Sequence, residues 1–198
     1  MNESSLLNQL VEALQCLPTV GTRTAQRMAF HLLEQDRKGG LILATTLQAA
    51  IENINHCQQC RTLTEDKLCR ICSDTQRNSR QICVVENPAD VLAMDKATQY
   101  QGYYFVLMGK LSPIDGIGPE ELGLDHLATL LDKGDIKELI LATNLSVEGE
   151  LTAHYINQLA SQRHIDTYCI AQGVPMGGEV SYVDSGTLSY AFEGRRKY

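Results

Sequence analysis

Tryptophan is absent from this chain of 198 residues, and aromatic residues make up only 6% of it. No run of about 18 apolar residues occurs, so the sequence excludes a membrane-spanning helix. The N-terminal segment has neither a basic n-region nor a cleavage site of small residues, and we expect no secretory signal peptide. Apolar residues still amount to 43% of the chain, enough to bury one or two compact cores. The sequence therefore predicts a globular cytoplasmic protein.

The net charge of −7, taken as an average, argues against a protein that coats nucleic acid. The charge is unevenly distributed, however. Residues 1–80 carry nine basic and eight acidic side chains, a net charge of +1, whereas residues 81–198 carry eight basic and sixteen acidic ones, a net charge of −8. The acidity belongs to the second part alone. We expect the first part to face phosphates and the second to face partners or metal ions.

The apolar pattern changes near residue 80. Residues 4–16, 22–34 and 41–55 have apolar side chains at helical spacing, with Thr22 as the expected N-cap of the second helix and Gly39-Gly40 as its expected end. After residue 80, short apolar strands alternate with helices, which is typical of a mostly parallel α/β sheet. These predicted elements are strands 82–85, 103–107, 138–142 and 167–170 and helices 88–97, 120–131 and 148–159.

Four of the seven cysteines form the strongest chemical signal in the chain. Cys57, Cys60, Cys69 and Cys72 have the spacing C-x2-C-x8-C-x2-C, which supplies four thiolates to one tetrahedral Zn²⁺. Four protein ligands leave no open position for water, so we predict one structural zinc ion per chain. Four reduced thiols and an iron–sulfur cluster are the alternatives. An odd number of cysteines is unlike a disulfide framework. We expect the remaining three to lie in the core as small apolar residues: Cys16, Cys83 and Cys169.

The segment Leu17–Gly21 separates two predicted helices and resembles the hairpin of a helix–hairpin–helix DNA-binding motif. A tight hairpin and a helix N-terminus expose backbone N–H groups that can hold a phosphate. Arg23 and Arg27 are one helical turn apart, so both side chains can reach the same DNA backbone. Gly21 allows a close approach or a positive φ. Thr19 stands where the motif usually has a second glycine, and an ordinary helical corner with solvated arginines is the alternative.

The acidic residues of the second part resemble those of the Toprim domain of topoisomerases, primases and some nucleases. Glu86 follows the first predicted strand, Asp90 lies one helical turn later, and Glu148–Glu150 provides an E-G-E run. The family's D-x-D pair is replaced by Asn144 and Ser146. Mg²⁺ relies on carboxylates and substrate phosphates, so the loss of these two carboxylates argues against a two-metal catalytic site. We expect either a weak Mg²⁺ site or a contact with a partner protein at Glu86, Asp90 and Glu148.

The three motifs occur in the order found in the RecR family of bacterial recombination mediators, and the resemblance covers nearly the whole chain. The stretches that carry it are LPTVGTRTAQRMAFHLL at 17–33, the four-cysteine segment, VVENPADVLAMD at 84–95, YYFVLMGKLSPIDGIGPEEL at 103–122, LATNLSVEGELTA at 141–153 and GVPMGGEV at 173–180. The sequence departs from the family pattern at Thr19 and at Ser181, where a glutamate is frequent.

The resemblance implies a non-enzymatic factor for DNA repair and recombination. Such proteins act with RecF and RecO in RecBC-independent gap repair, help to load RecA onto single-stranded DNA, and bind DNA without sequence preference as a clamp-like homo-oligomer. We accordingly expect a ring, as a tetramer, associated with the nucleoid in the cytoplasm. Arg23 and Arg27 are then the expected DNA contacts. Glu86, Asp90 and Glu148 are the expected partner contacts.

The expected fold is of the α+β and α/β classes, in four parts. These are a helix–hairpin–helix domain at 1–55, a C4 zinc finger at 56–73, a Toprim domain with a parallel α/β sheet at 80–175, and a C-terminal strand/helix extension at 176–198. Two alternatives for the function remain open. One is a Mg²⁺-dependent enzyme resembling Toprim nucleases or primases, and the other is a protein-interaction scaffold with minor DNA contact.

Overall fold

A computed structural model of the chain describes residues 5–171 and 173–195. The chain divides into two compact units, Met1–Ile54 and Asn55–Tyr198. Within the described ranges, no helix is both long enough and apolar enough to cross a membrane.

The first unit is wholly helical. It consists of α1 (Leu6–Leu14), α2 (Thr22–Phe30), a π-helical segment (His31–Gln35) and α3 (Arg37–Asn53). Gly21 is the N-cap of α2, whereas the sequence predicts Thr22 at that position. The expected break at Gly39-Gly40 is also wrong, because α3 begins before the two glycines. The Asp36 carboxylate accepts a hydrogen bond of 2.8 Å from the Gly39 amide and so caps α3 at this earlier point.

The buried core of the first unit is small. Val11 on α1 packs with Ala25 and Ala29 on α2, and half-buried leucines and a valine surround them. The apolar side chains of α3 contribute no buried residue. Five large apolar side chains of α3 are mostly exposed: Leu41, Ile42, Leu43, Leu47 and Ile51.

The second unit begins with a small antiparallel ribbon, β1 (Asn55–His56) and β2 (Leu63–Thr64). A four-stranded sheet follows, with β3 (Asn78–Val85), β4 (Gly102–Val106), β5 (Glu138–Ala142) and β6 (Asp166–Cys169) in the spatial order β4-β3-β5-β6. All its neighbouring strands pair in parallel, which confirms the predicted α/β class. The helices between them are α4 (Pro88–Ala97), α5 (Leu124–Lys133) and α6 (Val147–Ser161).

The two faces of the sheet pack differently because side chains alternate along each strand. Ile82 and Val84 of β3 join a large hydrophobic cluster with α5 and α6. Cys83 and Val85, on the opposite face, join a second cluster that contains the four cysteines of the C-x2-C pairs. Cys83 is thus a core residue as predicted, but Cys16 and Cys169 are exposed. Their apolar neighbours in sequence do not place them in a core.

The C-terminal part of the second unit is a 3-10 turn (Val180–Tyr182) and α7 (Ser185–Glu193), where the Asp184 carboxylate accepts a hydrogen bond from the Thr187 amide. Within 173–195 no strand is assigned, and Ser181 lies in the 3-10 turn. Residues 196–198 of the expected extension lie outside the described residues.

Candidate functional site

The four cysteines of the C-x2-C pairs meet at one point. Their Sγ atoms all lie within 4.8 Å of one another, and all four side chains are buried. Cys60 Sγ lies 3.5 Å from Cys69 Sγ, close to the separation of about 3.8 Å that tetrahedral Zn–S bonds of about 2.3 Å produce. The Cys69 amide donates a hydrogen bond of 3.3 Å to Cys57 Sγ. The donor set and its spacing fit a zinc ion.

The crowding of the thiols changes their acidity. Hydrogen bonds from Cys60 and Cys72 to the Cys69 sulfur lower the pKa of Cys69 to about 2. The pKa of Cys60 is raised chiefly because its thiol shares a hydrogen bond with Cys69, and that of Cys72 is raised chiefly by its hydrogen bond with Cys60. A divalent cation relieves this competition, because it stabilises all four sulfurs as thiolates.

The first cysteine pair is attached directly to the sheet. The Val106 amide, at the end of β4, donates a hydrogen bond of 2.8 Å to the Cys60 carbonyl. Arg61, the next residue, adopts a left-handed backbone conformation with φ of 66°. Its guanidinium donates to the carbonyls of Leu107, Glu121 and Leu122. The cysteine segment is therefore joined to both ends of the long loop between β4 and α5.

Gly123 shows how closely this arginine is packed. A Cβ atom at Gly123 would overlap the Arg61 guanidinium, and Gly123 itself has φ of 65°. Only glycine meets both requirements without strain. In the sequence Arg61 stands out only as a basic residue next to Cys60, because its carbonyl partners lie 46 to 61 residues away in the chain.

The hairpin between α1 and α2 turns at Pro18 and Thr19. The Val20 amide donates to the Leu17 carbonyl at 3.2 Å, and Thr19 has φ of 67°. Pro followed by a positive φ is the pattern of a type II turn, whose third position normally holds glycine. Gly21, by contrast, has φ of −85°. The residue that departs from the motif is thus the one that carries the left-handed conformation, which is strained for a β-branched side chain.

The start of α2 is open to solvent. Gly21 provides no side-chain cap, and a Cβ placed on it would meet nothing within 4 Å. Arg23 and Arg27 are both exposed, and among the described residues neither has an ion-pair partner. The unpaired N–H groups of the first turn and the two guanidinium groups can therefore hold an anion without losing an internal partner.

Glu86 lies at the end of β3 and is only 4% exposed. Its two carboxylate oxygens accept hydrogen bonds from Asn144, one from the backbone amide at 2.7 Å and one from Nδ2 at 2.6 Å. Asn144 is the first residue of the altered D-x-D pair. An aspartate there would place a second carboxylate against Glu86, whereas the asparagine satisfies its charge with a donor.

Asp90 has a structural partner of its own. Pro88 starts α4, and the Asp90 carboxylate accepts a hydrogen bond of 2.9 Å from the Asn87 amide as part of a capping box. The Asp90 carboxylate thus caps its own helix, and this contact does not bring Asp90 to Glu86.

Glu148 pairs with a lysine that sequence reasoning did not single out. Lys110 Nζ lies 3.2 Å from Glu148 Oε2 and 3.3 Å from Ser146 Oγ. The backbone amide of Glu148 and the Lys110 ammonium hold the pKa of the Glu148 carboxyl below its ordinary value. The only signal for Lys110 in the sequence was its place in the GKLSP loop that follows β4.

These residues meet at the N-terminus of α6. A Cβ at Gly149 would overlap the Asn144 carbonyl oxygen and lie 3.3 Å from Glu86 Oε1, so the E-G-E glycine permits a close approach. We call the group Glu86, Asn144, Ser146 and Glu148 the acidic cleft. Within the described ranges, the four cysteines are the one set of three or more potential metal-ligating side chains that converges. Glu86, Asp90 and Glu148 do not.

Family models match successive parts of the chain. They are described as the helix-hairpin-helix of RecR at residues 7–51, the four-cysteine zinc finger domain of RecR at 54–74, the Toprim domain at 80–171, and the C-terminal part of RecR at 173–196. The prediction of a zinc ion is thereby confirmed, since the converging cysteines lie in the region matched by the zinc finger model.

Several curated proteins are similar over almost their full length. Recombination protein RecR of Xanthomonas oryzae pv. oryzae is 57% identical over 97% of this chain and 98% of its own. The protein of the same name from Xylella fastidiosa is 56% identical over 96% of both chains. That from Saccharophagus degradans is 53% identical over 98% of both.

These relatives are named as recombination proteins rather than as enzymes, in agreement with the loss of both D-x-D carboxylates at Asn144 and Ser146. Identity above half over nearly the whole length, with the motifs in the same order, confirms the resemblance seen in the sequence: the chain belongs to the RecR family of recombination proteins.

Proposed function

We propose that this protein binds DNA without sequence preference through the hairpin and α2, as a clamp-like homo-oligomer. It then acts with RecO and RecF proteins in RecBC-independent gap repair and helps to load RecA onto single-stranded DNA. The observation that carries the proposal is the open N-terminus of α2, where Arg23 and Arg27 are exposed and lack ion-pair partners among the described side chains.

The chemistry of this surface favours phosphates over bases. Backbone N–H groups and guanidinium groups recognise phosphate oxygens, which every DNA sequence presents. With only two arginines on one helix face, each subunit is expected to bind weakly and in a salt-dependent manner. Several copies in a ring would raise the effective affinity, because each additional contact becomes intramolecular.

Assembly into a ring, for which we propose a tetramer, is supported by the exposed apolar side chains of α3. Leu41 and Ile51 are 70% and 73% exposed, and a soluble monomer rarely shows so many large apolar side chains on one helix. A second copy would cover them.

The acidic cleft is the proposed docking site for partner proteins. Glu86 and Glu148 of the cleft, together with Asp90 outside it, are the residues expected to contribute to this docking site, and the net charge of −8 over residues 81–198 favours basic partners. A scaffold whose DNA contact is minor remains the second candidate function, since this surface alone would support it. We also propose that the chain is organised in four parts, with bounds at 1–55, 56–73, 80–175 and 176–198. We propose further that the protein is associated with the nucleoid in the cytoplasm.

The decisive experiment is a DNA-binding titration of the full chain with Arg23→Glu and Arg27→Glu combined. We expect at least a tenfold loss of affinity for single-stranded and gapped DNA, and a smaller slope of affinity against salt, since about two phosphate contacts disappear. The measurement is fluorescence anisotropy at several salt concentrations, with circular dichroism to verify folding.

The matched control combines Lys96→Glu and Lys133→Glu. Both lysines are exposed and belong to the second unit, and the change in net charge is the same. An equal loss in the control would mean that overall charge, rather than α2, governs binding. Unchanged binding in the arginine variant would favour the scaffold.

A further inference from the structure

The likeness to Toprim domains implies Mg²⁺ in the acidic cleft, but the side chains there do not fit that ion. We propose that the ammonium of Lys110 is the resident cation of the acidic cleft and takes the place of a divalent metal ion. The proposal concerns the charge balance of the second unit and does not depend on DNA binding.

Lys110 is held over the cleft from both sides. Immediately before it, the Gly109 amide donates a hydrogen bond of 3.1 Å to the Glu86 carbonyl. Immediately after it, the Leu111 amide donates a hydrogen bond of 2.9 Å to the hydroxyl of Thr152, a fully buried residue. That hydroxyl in turn donates to the Glu148 carbonyl at 2.6 Å. The backbone at Lys110 is thereby tied to both strand β3 and helix α6.

The side chain of Lys110 then reaches the two groups a metal ion would need at this side of the cleft. Its Nζ lies 3.2 Å from Glu148 Oε2 and 3.3 Å from Ser146 Oγ. Ser146 also accepts a hydrogen bond of 3.1 Å from the Gly149 amide, so its oxygen is shared between two donors. Both oxygens therefore already lie within hydrogen-bonding distance of the Lys110 ammonium.

The other carboxylate of the cleft is also engaged. Both oxygens of Glu86 accept hydrogen bonds from Asn144, at 2.7 and 2.6 Å. A divalent ion would have to break these bonds and displace the lysine, and it would gain only two carboxylates. Mg²⁺ sheds its water reluctantly and depends on octahedral oxygen ligands, so this exchange is unfavourable. An ammonium group needs no such geometry and neutralises Glu148 directly.

The test is the binding of Mn²⁺, an EPR-active substitute for Mg²⁺, to the zinc-loaded full chain without DNA or partner proteins. In Lys110→Gln the repulsion between a unit charge and a divalent ion is gone. At a separation of about 4 Å this repulsion is worth more than tenfold in affinity even in water. We therefore expect Lys110→Gln to bind Mn²⁺ at least tenfold more tightly than the parent protein. The affinity is obtained from the concentration of free Mn²⁺, which is measured by EPR.

Two further variants make the result specific. Lys96→Gln removes an exposed lysine elsewhere on the second unit and should bind Mn²⁺ like the parent. Adding Glu148→Gln to Lys110→Gln should abolish the gain. The proposal is overturned if parent and Lys110→Gln bind Mn²⁺ equally, or if the gain persists without the Glu148 carboxylate.

Discussion

The two units of the chain differ in where they keep their apolar side chains. The second unit buries large residues on both faces of its sheet, among them Tyr104, Phe105 and Leu107. The first unit buries only Val11, Ala25 and Ala29 among its described residues, and α3 contributes nothing to that core. A unit of about 50 residues with so little buried area is marginal on its own. The comparison indicates that the second unit has a much larger core of its own to stabilise it than the first unit has.

The same contrast applies to backbone conformation. In the second unit, the left-handed residue Arg61 places its side chain on three carbonyl groups. In the first unit, the left-handed residue Thr19 is exposed and no compensating side-chain bond is formed by it within the described ranges. The strain at Arg61 is thus offset by polar contacts of its own side chain, whereas the strain at Thr19 is not; Met108 and His164 of the second unit are also left-handed.

The largest expected effect is the loss of zinc from the second unit. Cys57→Ser with Cys60→Ser should remove about one zinc ion per chain and several of the roughly 10–16 kcal/mol that a structural zinc supplies. The melting temperature should fall by more than about 10 °C. Zinc content by mass spectrometry and a thermal melt measure the two effects.

Cys16→Ser is the matched control for the zinc variant, because Cys16 is an exposed free thiol of the first unit. It should retain the zinc and melt like the parent. A zinc-depleted protein that melts at the parental temperature would show that internal stabilisation of the second unit does not depend on the metal.

A smaller effect is expected from Arg61→Ala. The carbonyl groups of Leu107, Glu121 and Leu122 would lose their donor, which should reduce the free energy of unfolding by about 2–3 kcal/mol. Zinc should be retained. Arg70→Ala is the control. Arg70 is 80% exposed, and its partner Asp95 keeps a second ion pair with Arg77, so the loss should be below about 1 kcal/mol. Urea unfolding of both variants tests the difference, and equal losses would contradict it.

The smallest effect concerns the hairpin of the first unit. Thr19→Gly should relieve the left-handed strain and stabilise α2 by about 0.5–1 kcal/mol, after allowance for the greater freedom of glycine in the unfolded chain. Hydrogen exchange of the α2 amides should slow accordingly. Thr24→Gly, inside α2, should have the opposite sign and accelerate exchange. Faster exchange in Thr19→Gly would mean that the turn is not strained.

Much of the architecture was accessible from local pattern. The strands 82–85 and 138–142 were predicted because short apolar runs flanked by polar residues have few alternatives, and β5 matches its predicted bounds. The start of α3 was missed because the Asp36 cap outweighs the low helix propensity of Gly39 and Gly40. α5 begins at Leu124 and not at residue 120 as predicted, because Gly123, which has a positive φ, is its N-cap.

Within the candidate site, the residues that were predicted from motifs acquired different partners in the folded chain. Glu86 bonds to Asn144, Asp90 caps α4, and Glu148 pairs with Lys110. The roles of Arg23, Arg27 and these carboxylates in binding stay predictions. Residue type and spacing identify candidates, but the partners of Glu86 and Glu148 lie 58 and 38 residues away and are invisible in a local window.

The sequence by itself determined the four cysteine ligands, the alternation of strands and helices, and the pair of arginines on α2, because each depends on spacing along a few turns or strands. Only the tertiary structure decided that Thr19 carries the left-handed turn, that Arg61 joins the cysteine segment to the β4–α5 loop, and that Lys110 pairs with Glu148. The contacts of Arg61 and Lys110 are set by the packing of distant segments, where burial and hydrogen bonding override local preference.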